Sequence, residues 1–168
     1  MQNQGRYPLE QLAIIKQKKL DEAEKALKEK KLALIKEEEK LKEVEKERDL
    51  VKDHRFAKLT QLREELDAGT TTDKIQQMKA YLKVVDEKLK VKDQKVKDQE
   101  KKVEQAKVAV ETARLDFLKK QQDVEKLRLH REEWEKEMKA LLEQKEAIET
   151  DEMGSVIHFR QKRLKENQ

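Results

Sequence analysis

Residues Ile75 to Ile148 read IQQMKAYLKVVDEKLKVKDQKVKDQEKKVEQAKVAVETARLDFLKKQQDVEKLRLHREEWEKEMKALLEQKEAI. Steps of alternately three and four residues from Ile75 meet Met78, Leu82, Val85, Leu89, Lys92, Val96, Gln99, Val103, Ala106, Val110, Ala113 and Phe117. They continue through Lys120, Val124, Leu127, Arg131, Trp134, Met138, Leu141, Lys145, Ile148 and Glu152. Seventeen of these 23 positions are apolar, against 35% of the whole chain. A mean spacing of 3.5 residues keeps one narrow seam facing a partner helix along its length. A disordered polar chain has no reason to hold such a phase, so the segment is expected as one long helix of a coiled coil.

The rest of the composition agrees. Charged residues make up 46% and aromatics 4%, with three glycines and one proline in 168 residues. Such Glu-, Lys- and Leu-rich usage marks long helices, and one stripe per helix cannot build a thick core. Upstream, a second seam passes through Leu9, Ala13, Lys16, Leu20, Ala23, Leu27, Lys30, Leu34, Glu37, Leu41, Val44, Arg48, Val51, Arg55, Leu59, Leu62 and Leu66. Consecutive steps of four at Val51, Arg55 and Leu59 put a small slip in its phase.

Between the seams lies Ala68-Gly69-Thr70-Thr71-Thr72-Asp73. Gly69 suits the left-handed position that ends a helix, and a threonine or Asp73 can cap the next one. So short a connection makes antiparallel neighbours. The expected fold is all-α, one long antiparallel two-helix coiled-coil hairpin with a C-terminal overhang. Residues 1–7 are expected to be loose, 8–67 to form helix one, 68–72 the turn, and 73–150 helix two, with continuation to 165 depending on Gly154. Pro8 belongs in the first helical turn. Helix one would span about 90 Å and helix two about 120 to 135 Å. Opposing residues in that register places Leu9 beside Glu132, His54 near Glu87 and His130 near Gln11. Trp134, Met138, Leu141, Ile148 and Phe159 would then project beyond helix one.

Charge excludes some functions. The net charge is +4, and the segment from Gly154 onward holds Arg160, Lys162, Arg163 and Lys165 against Glu166. The remainder is nearly neutral, unlike the basic face of a nucleic-acid binder. The absence of cysteine removes disulfides and thiolate chemistry. No apolar run approaches membrane-spanning length, and the opening MQNQGRYPLEQL lacks a secretory-signal plan. A cytoplasmic protein is expected. No glycine-rich phosphate loop or nucleophile-base pair is present. His54, His130 and His158 share no metal-ligand spacing. Catalytic residues, cofactors and metal are therefore expected to be absent, and pairs such as Glu24/Lys28 and Glu135/Lys139 read as helix support.

What remains is surface. At the open end, Leu12, Ile14 and Ile15 widen the seam opposite Leu127 and Leu129. There Tyr7, Leu9, Leu12, Ile15, Trp134, Met138, Phe159, Arg160 and Arg163 are candidate partner-binding residues. At the turn, Met78, Tyr81 and Val84 form a second candidate patch. A third apolar cluster, Leu32 to Ile35 opposite Val108 to Val110, reads as ordinary packing of a wider seam.

Three stretches carry a resemblance: Tyr7-Pro8-Leu9-Glu10-Gln11-Leu12, Ala23-Glu24-Lys25-Ala26-Leu27-Lys28-Glu29-Lys30-Lys31, and Thr72-Asp73-Lys74-Ile75 through Tyr81-Leu82-Lys83-Val84-Val85. With the size and the hairpin plan, they resemble the YscO family of type III secretion, in particular its chlamydial form. The family is similar to flagellar FliJ and, in shape, to the coiled coil of the rotary ATPase γ subunit. The resemblance implies a non-enzymatic cytoplasmic stalk, peripheral to the secretion apparatus at the inner membrane. Its open end would enter a hexameric type III secretion ATPase. Its remainder would reach the export gate protein, with export chaperones and the needle-length regulator as further partners. One rod in a sixfold ring would touch its subunits unequally and bias their nucleotide states. A self-associating coiled-coil scaffold and an export-substrate chaperone are the competing classes.

Overall fold

The computed structural model describes residues 5–167, so the expectation of a loose terminus at residues 1–4 lies outside the described residues. Two helices follow one another, α1 (Glu10–Ala68) and α2 (Thr72–Glu166), packed as an all-α hairpin. The chain divides into two compact units, and both helices contribute to each. One comprises Glu22–Phe117; the other comprises the segments up to Asp21 and from Leu118 onward.

The unit Glu22–Phe117 contains the turn. Gly69 takes φ 74° and sends its amide to the Leu66 carbonyl at 3.3 Å. The left-handed conformation suits glycine because a Cβ there would crowd the following carbonyl. The Thr71 carbonyl accepts the Ile75 amide at 3.2 Å and so opens α2, with Asp73 favourably placed against the helix N-terminus. Ala23, Leu27, Leu62, Val85, Val96 and Val103 are buried between the helices. Every α2 seam position from Ile75 to Phe117 is at least half-buried, including the polar Lys92 and Gln99.

Three ion pairs join the two helices here: Lys92 to Glu47 at 2.9 Å, Lys74 to Glu65 at 3.4 Å, and Arg55 to Asp86. As the α1 number rises the α2 number falls, the signature of antiparallel pairing. Among the described residues, Gln99 is the one buried polar or charged side chain besides the Tyr7 phenol. Its amide donates to the Glu37 carbonyl at 3.0 Å and to the Glu37 carboxylate. That hydrogen bond, more than Lys40 and Lys102 nearby, holds the Glu37 carboxyl below its usual range. Two expected seam residues lie outside the seam. Lys30 is exposed, its ammonium hydrated. Leu66 is 47% exposed because the helix ends two residues later, and Glu65 turns toward Lys74 instead.

In the other unit, Ala13, Lys16, Leu20, Phe117's successors Lys120 and Val124, and Leu127 continue the packing at half-burial. Lys16 meets Asp123 at 3.5 Å, and Glu10 meets Arg131 at 3.0 Å. Ahead of α1, the Glu10 amide donates to the Tyr7 carbonyl at 3.2 Å, so Pro8 lies in a turn that leads into the helix. Tyr7 itself is only 4% exposed. The expected looseness therefore does not reach Tyr7, which lies against α2. Helix α2 passes through Gly154 without a break, as the modest cost of one helical glycine allows. Beyond Trp134, every residue to Asn167 is exposed.

Candidate partner-binding surfaces

The open end is organised by one aromatic side chain. The Tyr7 hydroxyl and His130 Nδ1 share a 2.6 Å hydrogen bond. The Tyr7 ring meets Trp134 edge-on at 5.5 Å between centroids, and the Arg131 guanidinium lies 5.5 Å from the ring centre. Arg131 also reaches Glu10 and Glu135, at 3.0 and 3.2 Å. A cation held over a ring and against two carboxylates fixes the segment from Tyr7 to Glu10, a strap across α2, at several points. A shallow groove beside it is lined by Tyr7, Ala13, Ile14, Val124, Leu127 and Arg128. Arg128 is pushed further toward its charged form by Glu125 and then Glu132, and Glu125 is correspondingly held below its usual range.

Of the open-end candidates, Tyr7 is buried, and Leu9 and Trp134 are half-buried. These three pack against their own chain. Leu12, Ile15, Met138, Phe159, Arg160 and Arg163 are exposed. The structure thus moves the start of the overhang past Trp134, because Tyr7 extends beyond the first residue of α1 and covers it. His130 keeps the expected level opposite Gln11, next to the Glu10–Arg131 pair, and Tyr7 reaches it from ahead of α1.

The heptad stripe does not select Leu142, Met153, Val156, Ile157 and Leu164, which are 53 to 66% exposed. Continued past Glu152, the heptad meets Ser155, Phe159 and Lys162, so it selects Phe159 and misses Met153 and Val156. Shallow hollows flank Val156, one lined by Glu149, Glu152 and Met153, the other by Ile148, Ser155 and Phe159.

At the turn end, His54 Nε2 lies 2.8 Å from the Tyr81 hydroxyl, and Lys58 stands 5.7 Å from the ring centre. His54 keeps the expected level opposite Glu87, next to the Arg55–Asp86 pair, and its ring reaches along α2 to Tyr81. Lys58, Gln61, Gln77, Met78 and Tyr81 border a small hollow. Tyr81 is 45% and Val84 61% exposed, while Met78 is half-buried. Among the described residues no cluster of three His, Cys, Asp or Glu side chains could hold a metal ion, and no helix is long and apolar enough to cross a membrane.

The family model described as "YscO-like protein" matches residues 4–164. The solved structure of a YscO homolog from Chlamydia trachomatis is 46% identical, covering 94% of this chain and 98% of its own, with a TM-score of 0.90. No curated protein matches significantly.

Proposed function

The chain belongs to the YscO-like family, a family of type III secretion, and on that premise we propose that it is a non-enzymatic stalk at the cytoplasmic face of the secretion apparatus. In this reading the open end engages the hexameric export ATPase. The Tyr81 patch at the turn faces the export gate, and the helix flanks meet export chaperones and the needle-length regulator. The observation that carries the proposal is the end of α2, which has no partner among the described residues. Met138, Leu141, Leu142 and Phe159 are exposed on a helix that has outrun its neighbour. Bare apolar surface of this kind marks an interaction site, and each large side chain buried would contribute roughly 1.5 to 3 kcal/mol. The Tyr7 strap supports the same reading, since it stiffens the base from which that end projects.

The test is the hydrolysis rate of the cognate secretion ATPase, titrated with the full chain and with a Met138→Ser, Leu141→Ser, Phe159→Ser variant. Stimulation by the full chain that is lost in the variant, at unchanged helix content, is the expected result. A rate and an ATPase assembly state indifferent to the full chain would overturn the proposal.

A further inference from the structure

The exposed end of α2 is electrically two-sided along its length. From Glu143 to Glu152 there are five acids, Glu143, Glu146, Glu149, Asp151 and Glu152, against the single base Lys145. From Met153 to Asn167 there are four bases, Arg160, Lys162, Arg163 and Lys165, against Glu166. Among the described residues, none of Glu149, Glu152, Arg160 or Arg163 forms an ion pair. They cannot pair with one another inside one helix. Glu152 and Arg160 are separated by about 12 Å of helix axis, and Glu149 and Arg163 by about 21 Å, at the standard rise.

The same residues lie on one face with the exposed Met153, Val156 and Phe159, because their spacing follows the helical repeat. Lay a second copy of that face antiparallel, with Val156 opposite Val156. Met153 then falls opposite Phe159, and Ile148 opposite Leu164. Glu152 falls opposite Arg160, and Glu149 opposite Arg163. Each of these apolar residues meets an apolar residue and each of these acids meets a base, while Ile157, turned off this face, falls at the level of Ser155. A parallel arrangement would set Glu149 and Glu152 against themselves, which like-charge repulsion disfavours.

We infer that the exposed end of α2, from Ile148 to Leu164, is a self-recognition surface that pairs two copies of this chain antiparallel about a twofold axis at Val156. Such an interface is isologous, the same patch serving both partners. It is short, below the roughly 1,600 Å² of a standard interface, so association in the micromolar range is expected. It covers Phe159, Arg160 and Arg163, so a chain paired in this way cannot offer them to another partner. The inference does not depend on the stalk reading, and its test needs no ATPase.

Sedimentation of the full chain across the micromolar range reads the association directly. The wild type is expected to form dimers. The Glu149→Arg, Glu152→Arg variant and the Arg160→Glu, Arg163→Glu variant are each expected to stay monomeric, and their equimolar mixture to recover dimers. All four positions are exposed in the monomer, so the fold should tolerate the changes. Because the chain lacks cysteine, Val156→Cys should cross-link to itself under mild oxidation, and Met153→Cys should cross-link to Phe159→Cys in preference to itself. A wild type that stays monomeric would overturn the inference. So would dimers that survive both charge reversals, or self-cross-linking of Met153→Cys as strong as that of Val156→Cys.

Discussion

The Tyr7 hydroxyl lies 2.6 Å from His130 Nδ1, across 123 residues of sequence. This bond joins the segment ahead of α1 to the far part of α2, and Trp134 packs against the same ring.

Trp134 is the one tryptophan of the chain, so its emission reports on that contact. Tyr7→Ala should shift the emission to the red and loosen the end of the hairpin by about 2 kcal/mol, below the loss expected in a deep core. Tyr7→Phe keeps the ring and removes one hydrogen bond, a loss of about 1 kcal/mol. Hydrogen exchange of the amides around Glu10 to Leu20 would rank the two. Equal protection in Tyr7→Ala and wild type would remove the strap from the account.

Two glycines should respond in opposite directions. Gly69 sits at φ 74°, so Gly69→Ala should cost about 1 to 2 kcal/mol through backbone strain. Gly154 lies within α2, and an added Cβ there meets nothing within 4 Å. Gly154→Ala should strengthen that stretch of helix by about 1 kcal/mol. Thermal melting checks the first, and far-UV circular dichroism at elevated temperature checks the second.

Acid should weaken the pairing of the helices. The Glu37 and Glu47 carboxyls are held below 4.5, chiefly by Gln99 and by Lys92 respectively. Their folded values are depressed, so this stabilisation is fully present above 4.5 and is lost as pH falls through the lowered values. Melting temperature should drop across that range. The Glu37→Gln, Glu47→Gln variant should show a shallower dependence; an identical slope would assign the acid sensitivity to other carboxylates.

Seam and overhang should differ sharply in their tolerance. Val96 is 3% exposed and Leu142 is 60% exposed. Val96→Ala should destabilise by about 2 kcal/mol, whereas Leu142→Gln should stay within about 0.5 kcal/mol. Paired denaturant titrations would show this, and a large cost at Leu142 would mean that the overhang is already covered.

The seam was legible because a heptad is a purely local rule. Each α2 position from Ile75 to Leu127 that the pattern selected is at least half-buried. The partners of His54 and His130 were not legible. The register opposes Cα levels, and long side chains choose neighbours several residues away. Tyr7 escaped for another reason. It precedes the helix, so no periodicity speaks for it, and its burial depends on Trp134 lying within reach. Met153, Val156 and Leu164 lie off the phase that runs through Glu152, so the stripe does not select them.

Among the described residues, no large side chain is completely shielded from water. Stability in such a molecule is laid down in series, each turn supported by the turns beside it, as in one-dimensional repeat proteins. Heating should open it as a zipper, with the stretch past Trp134 fraying first and the valines of α2 last. A single melting temperature would then average over events that do not coincide.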